Sequence, residues 1–151
     1  MTVFSRLSVP FFLVASLAAC GSSGGTDFTG TWTYNTGASG TISCPSGNDT
    51  LDFTGNEEFR DGTDSDFVVV SSNGCNLKVN VDGNRADAIP GQSCATTSGG
   101  VTTTITFNSL SYTADHDTLA FAAAGTINLM GPGGEATCTL SASATLHKVS
   151  N

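Results

Sequence analysis

From Ala136 to His147 the chain reads Ala-Thr-Cys-Thr-Leu-Ser-Ala-Ser-Ala-Thr-Leu-His. Ala136, Cys138, Leu140, Ala142, Ala144 and Leu146 fall on one side of an extended chain. Thr137, Thr139, Ser141, Ser143, Thr145 and His147 fall on the other. Side chains alternate across a strand, so a period of two with Thr and Ser on one face marks a half-buried antiparallel strand. The same period runs from Leu119 through Phe121, Ala123, Gly125, Ile127 and Leu129. It runs again through Val101, Thr103, Ile105 and Phe107, opposed by Thr102, Thr104 and Thr106. The phase slips between Phe107 and Leu110, which predicts a bulge or bend near Asn108.

Turn residues divide the rest of the chain. Pro45-Ser46-Gly47-Asn48, Asn73-Gly74, Asp82-Gly83-Asn84 and Pro90-Gly91 each suit positive φ or a fixed turn. Asp115-His116-Asp117 and Gly131-Pro132-Gly133-Gly134 close the last two hairpins. Strands are predicted near 30–36, 39–45, 50–55, 66–72, 75–82, 85–89, 92–97, 101–113, 118–129 and 135–148. The expected class is all-β, an antiparallel up-and-down meander. Closing into a barrel would remove its edges, and folding over as a β-sandwich is the alternative.

Composition agrees. In 151 residues with a net charge of −8 there is room for one domain. Ser and Thr make up about a quarter of the chain, above ordinary usage, and helix-forming amphipathic runs are missing. Five Lys and Arg residues cannot build a basic face, so nucleic acid is not an expected partner.

The first residues read as an address. Arg6 precedes a short apolar run from Leu7 to Ala19, too short for the roughly 20 residues a membrane-spanning helix needs. The run ends in Leu17-Ala18-Ala19-Cys20, which resembles the lipobox of bacterial lipoproteins. The resemblance implies a signal peptide over 1–19 and a diacylglycerol on the Cys20 thiol. It also implies a membrane partner through that lipid, with palmitate among its acyl chains. Each buried CH₂ contributes about 0.8 kcal/mol, so two or three acyl chains would hold the protein almost permanently. Gly21 rather than Asp follows the cysteine, a pattern similar to cargo sorted to the outer membrane. The implied location is the bacterial cell envelope. Residues 20–26, Cys-Gly-Ser-Ser-Gly-Gly-Thr, read as a flexible tether, and the β-domain is expected over 27–151.

Four further cysteines, Cys44, Cys75, Cys94 and Cys138, form an even set in an exported chain and predict two disulfides. Three pairings are possible. Cys75–Cys94 is favoured because two strands about a turn lie between them, and Cys44–Cys138 follows.

Gly30-Thr31-Trp32 opens the domain and resembles the Gly-x-Trp motif that begins the first strand of lipocalins. The resemblance implies that Trp32 packs across the closed end of a lipocalin-like barrel. The lipocalin pattern also carries a late Arg that stacks on the Trp, and this chain has His147 and Lys148 in that region.

Other residues offer candidate sites. Glu57, Glu58, Asp61, Asp64 and Asp66 are dense enough to suggest Ca²⁺, although the EF-hand pattern is not met. The competing reading is a solvated loop. Asp115-His116-Asp117 could orient a metal or a base, or simply be a polar hairpin tip. The repeated Asp-Phe-Thr-Gly at 27–30 and 52–55 has divergent flanks and reads as coincidence. No Gly-x-Ser-x-Gly elbow or phosphate loop occurs, so no enzyme and no cofactor are expected. Ala123, Gly125, Ala142 and Ala144 are small inward residues that leave either a cavity or a flattened core. The expected function is a non-catalytic lipoprotein binding a small apolar ligand or lipid. The alternative is a protein-binding or structural surface lipoprotein. One form of it inhibits a basic hydrolase, to which a mature charge of −9, after loss of Arg6, would steer it.

Overall fold

The computed structural model describes residues 27–72 and 74–150, and the side chains of all of these except Ser150. Residues 1–26, where the sequence predicts a signal peptide, the lipidated Cys20 and a tether, lie outside the described residues, as do Asn73 and Asn151. Eleven strands form: β1 (Gly30–Tyr34), β2 (Ser39–Cys44), β3 (Gly47–Asp52), β4 (Asn56–Asp61), β5 (Phe67–Ser71), β6 (Asn76–Asp82), β7 (Arg85–Ala88), β8 (Ser93–Ser98), β9 (Val101–Asp115), β10 (Thr118–Gly131) and β11 (Gly134–Ser150). Every pairing is antiparallel.

Strands β1, β4, β5, β6, β7, β9, β10 and β11 follow one another around a barrel that pairing of β1 with β11 closes. This closure decides for the barrel over the sandwich. The order departs from a plain meander twice. The β2–β3 hairpin is inserted between β1 and β4, and β8 pairs only with β9. The long strands make both insertions possible. β7 pairs with β9 only through Asp87↔Ser111 to Arg85↔Thr113, while β8 takes Val101 to Thr106. Likewise β1 takes the end of β11 and β2 takes Thr139 to Ser143. Beyond the barrel rim, β8-β9-β10-β11-β2-β3 therefore continues as a six-stranded wall. Cys44–Cys138 ties β2 to β11, and Cys75–Cys94 ties the β5–β6 turn to β8, the two pairings expected from the sequence.

One strand corrects the sequence reading. Residues 56–61, where the sequence predicts no strand and the acidic stretch begins at Glu57, form β4 between β1 and β5. Glu57 and Phe59 face the interior, and Glu58 and Arg60 face out. The tight turns fall where expected. Gly83 and Gly134 take positive φ, and His116 is the one such non-Gly residue among those described.

The repeated Asp-Phe-Thr-Gly is also more than a chance echo. Each copy leads into a barrel strand, β1 or β4, through a glycine at positive φ, Gly30 or Gly55. Each also lays its Phe over one end of the interior. Phe28 is fully buried against Phe59 and Phe67, whereas Phe53 packs on Tyr34 and Phe121 at the opposite end.

The phase slip is a bulge. Ala124 pairs with Ser109 and Gly125 with Phe107, leaving Asn108 as the extra residue. A Cβ on Gly125 would stand 2.3 Å from the Thr106 carbonyl oxygen. Strand glycines commonly mark such close backbone approaches. Gly125→Ala should therefore lower stability by about 1–3 kcal/mol, the cost of overpacking. Gly133→Ala, with nothing within 4 Å of its Cβ, should stay within about 0.5 kcal/mol of the parent. Urea denaturation of the two variants checks this. Equal effects would contradict the bulge assignment.

The closed end is built around Trp32. Its ring is fully buried, and its indole Nε1 donates to the Phe28 carbonyl at 2.9 Å. Lys148 Nζ lies 5.3 Å from the ring centroid and 3.5 Å from Asp27 Oδ2. Lys148 thus links the Trp32 ring to the segment that precedes β1. The Thr29 hydroxyl, and then Lys148, hold the Asp27 carboxyl below its ordinary range.

Candidate functional site

The other end is open, and it holds a cavity of about 520 Å³. Its position follows from the strand lengths. β9, β10 and β11 outrun their barrel partners, so their inward faces have no opposing barrel wall there. Leu110, Phe121 and Leu140 form part of the buried floor, and Ile105 and Phe107 line the wall above. Phe53 closes one side. A Cβ on Gly40 would come within 2.8 Å of the Ala142 Cβ and 3.2 Å of the Phe53 ring, so Gly40 and Ala142 make room for that ring. Of the small inward residues, Ala142 thus belongs to a flattened, filled part of the core, and none of Ala123, Gly125, Ala142 and Ala144 lines the cavity. Phe53 fills the space beside Gly40 and Ala142 and itself lines the cavity. Asp52, Thr54, Asn56, Ser72 and Thr96 supply exposed polar lining at the mouth.

One ionisable carboxyl group stands in this apolar floor. Glu57 is only 5% exposed, between Trp32 of β1 and Ser71 of β5 in the strand register. Its Oε1 accepts a short hydrogen bond from the Tyr34 hydroxyl and a longer one, 3.4 Å, from Ser71 Oγ. Tyr112 Oη also lies near Glu57, close enough to influence its ionisation but outside hydrogen-bond geometry. Glu57 Oε2 and Tyr112 Oη are thus buried without a partner among the described residues. Burial pushes the Glu57 carboxyl above its ordinary value, against the opposing pull of the Tyr112, Tyr34 and Ser71 hydroxyls. Burial, and then the Glu57 charge, push both phenols up.

A stability prediction follows from this placement. An acid whose folded pKa is raised contributes stability fully present below its unfolded value, here 4.5, and lost as pH rises through the folded value. Both phenols are pushed upward and stay protonated through this range, so the window belongs to Glu57. The stability of Glu57→Gln relative to the parent should be constant below about pH 4.5 and should then rise in favour of Gln. Each unit of upward shift is equivalent to about 1.4 kcal/mol. Thermal melts of both proteins from pH 3.5 to 8.5 check it, and a difference that does not change with pH would refute it.

Sequence reasoning missed this site. It grouped Glu57 with Glu58, Asp61, Asp64 and Asp66, and the structure disperses the five. Glu58 pairs with Arg60 at 2.6 Å on the outer face, and Asp64 pairs with Lys78 at 3.1 Å. Asp66 accepts the Val81 amide at 2.6 Å, and Asp61 is exposed at the end of β4. Among the described residues, no group of three His, Cys, Asp or Glu side chains is placed to hold a metal ion. Asp115, His116 and Asp117 sit exposed at the β9–β10 turn, with His116 Nδ1 2.7 Å from Asp115 Oδ1. The signal that could have found Glu57 is the phase of the tyrosines. Tyr112 alternates with Leu110 and Ala114 on an inward face, and a buried phenol needs a polar partner. Compared with protein-family models, with curated proteins and with solved structures, the chain matches none.

Proposed function

We propose that this chain is a lipid-anchored, non-catalytic lipoprotein of the bacterial cell envelope, seated at the outer membrane, that holds a small apolar ligand in the open end of its barrel. The β-barrel is compatible with ligand binding, and the observation that carries the reading is the cavity itself. Its volume lies within the range of small-molecule sites, its lining is mostly apolar, and a few polar groups converge at one spot. The anchor rests on Leu17-Ala18-Ala19-Cys20 after a short apolar run. The Trp32–Lys148 contact at the closed end supports the lipocalin-like reading of Gly30-Thr31-Trp32.

Two experiments test the two halves. Labelled palmitate should enter the full chain in its host, and Cys20→Ser should abolish the label. An unlabelled parent chain would remove the anchor. The neutral fluorophore N-phenyl-1-naphthylamine should brighten on binding the full-length protein. Ile105→Trp, which fills the wall of the cavity, should suppress that signal at least tenfold. A signal unchanged by the substitution would place the probe elsewhere and sink the ligand reading.

A further inference from the structure

The polar groups of the cavity select the kind of ligand. The ionisable side chains that line it are Asp52, Glu57 and Tyr34. None of the four described Lys and Arg residues lines it. A carboxylate, phosphate or sulfate head would meet two acids and no cation, so fatty acids and anionic lipids are poor ligands. Glu57 meanwhile lines the cavity with a buried Oε2 that makes no hydrogen bond among the described residues, Tyr112 Oη being its nearby hydroxyl. The hydroxyls around it can stabilise its negative charge. Tyr34 is bonded to Glu57, and the Phe53 and Phe121 rings pack on Tyr34 in the same cavity lining. Tyr34 and Phe53 stack at 5.5 Å, and Phe121 meets them edge-on at 5.9 and 5.4 Å. A carboxylate next to aromatic faces in a desolvated pocket is the chemistry that recognises an ammonium group.

We propose that the cavity takes a lipophilic amine, its alkyl or aryl body among Ile105, Phe107 and Leu110 and its protonated nitrogen between Glu57 and the rings of Tyr34, Phe53 and Phe121. This rests on the ligand-binding reading above and narrows it. The ammonium supplies the positive partner that the buried acid lacks, and Asp52 at the mouth adds attraction of the same sign. No bond is made or broken. The only transfer is of the Glu57 proton to solvent when the acid is neutral before binding.

The test is a calorimetric titration of the full-length protein in a non-ionic detergent, with protein-free micelles as the blank. The probes are octylamine, 1-octanol and octanoate, which share a chain and differ in head group. Octylamine should bind at least tenfold more tightly than 1-octanol at pH 7.5, and octanoate should bind more weakly than either. Glu57→Gln should bring octylamine to the affinity of 1-octanol and leave 1-octanol unchanged. That variant keeps every surface acid, so non-specific attraction of the amine to an acidic protein would survive in it. Equal affinity of the parent for amine and alcohol, tighter binding of octanoate, or an amine preference that persists in Glu57→Gln would each overturn the proposal while leaving the cavity a binding site. If none of the three probes binds, the ligand-binding reading fails and the amine with it. The parent series alone decides the matter should Glu57→Gln fold poorly.

Discussion

Trp32→Ala should lower the unfolding free energy by about 3–5 kcal/mol, the range for removing a fully buried large aromatic. In a domain of this size that corresponds to a fall in Tm of roughly 10–20 °C. The expectation rests on what the ring joins. Trp32 sits in the strand that closes the barrel, between β4 and β11, and its inward face lies among residues from both. Its indole N–H also satisfies the Phe28 carbonyl, which holds the segment before β1 over the closed end. Truncation would leave a cavity there, an unpaired carbonyl, and Lys148 over empty space. Trp32→Phe separates these contributions. It keeps most of the apolar contact and loses the hydrogen bond, so a loss nearer 1–2 kcal/mol is expected. Trp32 is the only tryptophan, so unfolding must be followed by circular dichroism rather than by fluorescence. A loss under 1 kcal/mol for Trp32→Ala would mean that the closed end does not depend on this ring.

Why Trp32 could be read from the sequence, and Glu57 could not, comes down to the direction in which chemistry constrains position. An isolated Trp at the start of a strand has one economical place, the interior, and its flanking Gly marks the turn into the strand. The long strands were equally legible. In β11 the apolar series Cys138, Leu140, Ala142 and Leu146 is buried as its period requires, and only Ala136, beyond the barrel rim, is exposed. β4 was hidden because its sequence, Asn-Glu-Glu-Phe-Arg-Asp, has one apolar residue in six and reads as a solvated stretch. It is a strand because β1 and β5 both offer it an unpaired edge. That is a tertiary cause, which outweighs weak local preference. Glu57 then inherits a buried position from its phase with Phe59, against the general rule that carboxylates stay outside. The β2–β3 hairpin was expected, but its insertion between β1 and β4 was not, for a related reason. Its local pattern predicts a hairpin, but nothing local says that it will pair with the far end of β11 rather than with β4. The cavity exists because of that long-range pairing, so it could not be read before the topology was known.

The two disulfides should separate stability from binding, and this is the second large effect expected. Cys44→Ser with Cys138→Ser opens a link between residues 94 apart, and the chain-entropy model assigns about 4–5 kcal/mol to a closure of that length. Cys75→Ser with Cys94→Ser opens a link across 19 residues, for which the same model gives about 3 kcal/mol. By thermal melting the first pair should therefore be the more damaging. Ligand binding should rank them the other way. Cys44–Cys138 joins strands that are already hydrogen-bonded neighbours, so β2 remains paired with β11 in its absence. Cys75–Cys94 joins elements that are not paired with each other. β8 pairs with β9 alone, and its bond to Cys75 ties it to the β5–β6 turn across the cavity mouth. Both sulfurs belong to residues that line the cavity. Without that bond β8 is held by its ladder with β9 and, just before its start, by the Gln92 side chain on the Lys78 backbone, so the part of the wall carrying Thr96 can move away from Ser72. The Cys75/Cys94 double variant should thus lose N-phenyl-1-naphthylamine binding by tenfold or more while melting above the Cys44/Cys138 variant, which should still bind at temperatures where it is folded. If the two variants lose binding in proportion to their loss of stability, the Cys75–Cys94 bond is a general staple and not the clasp of the open end.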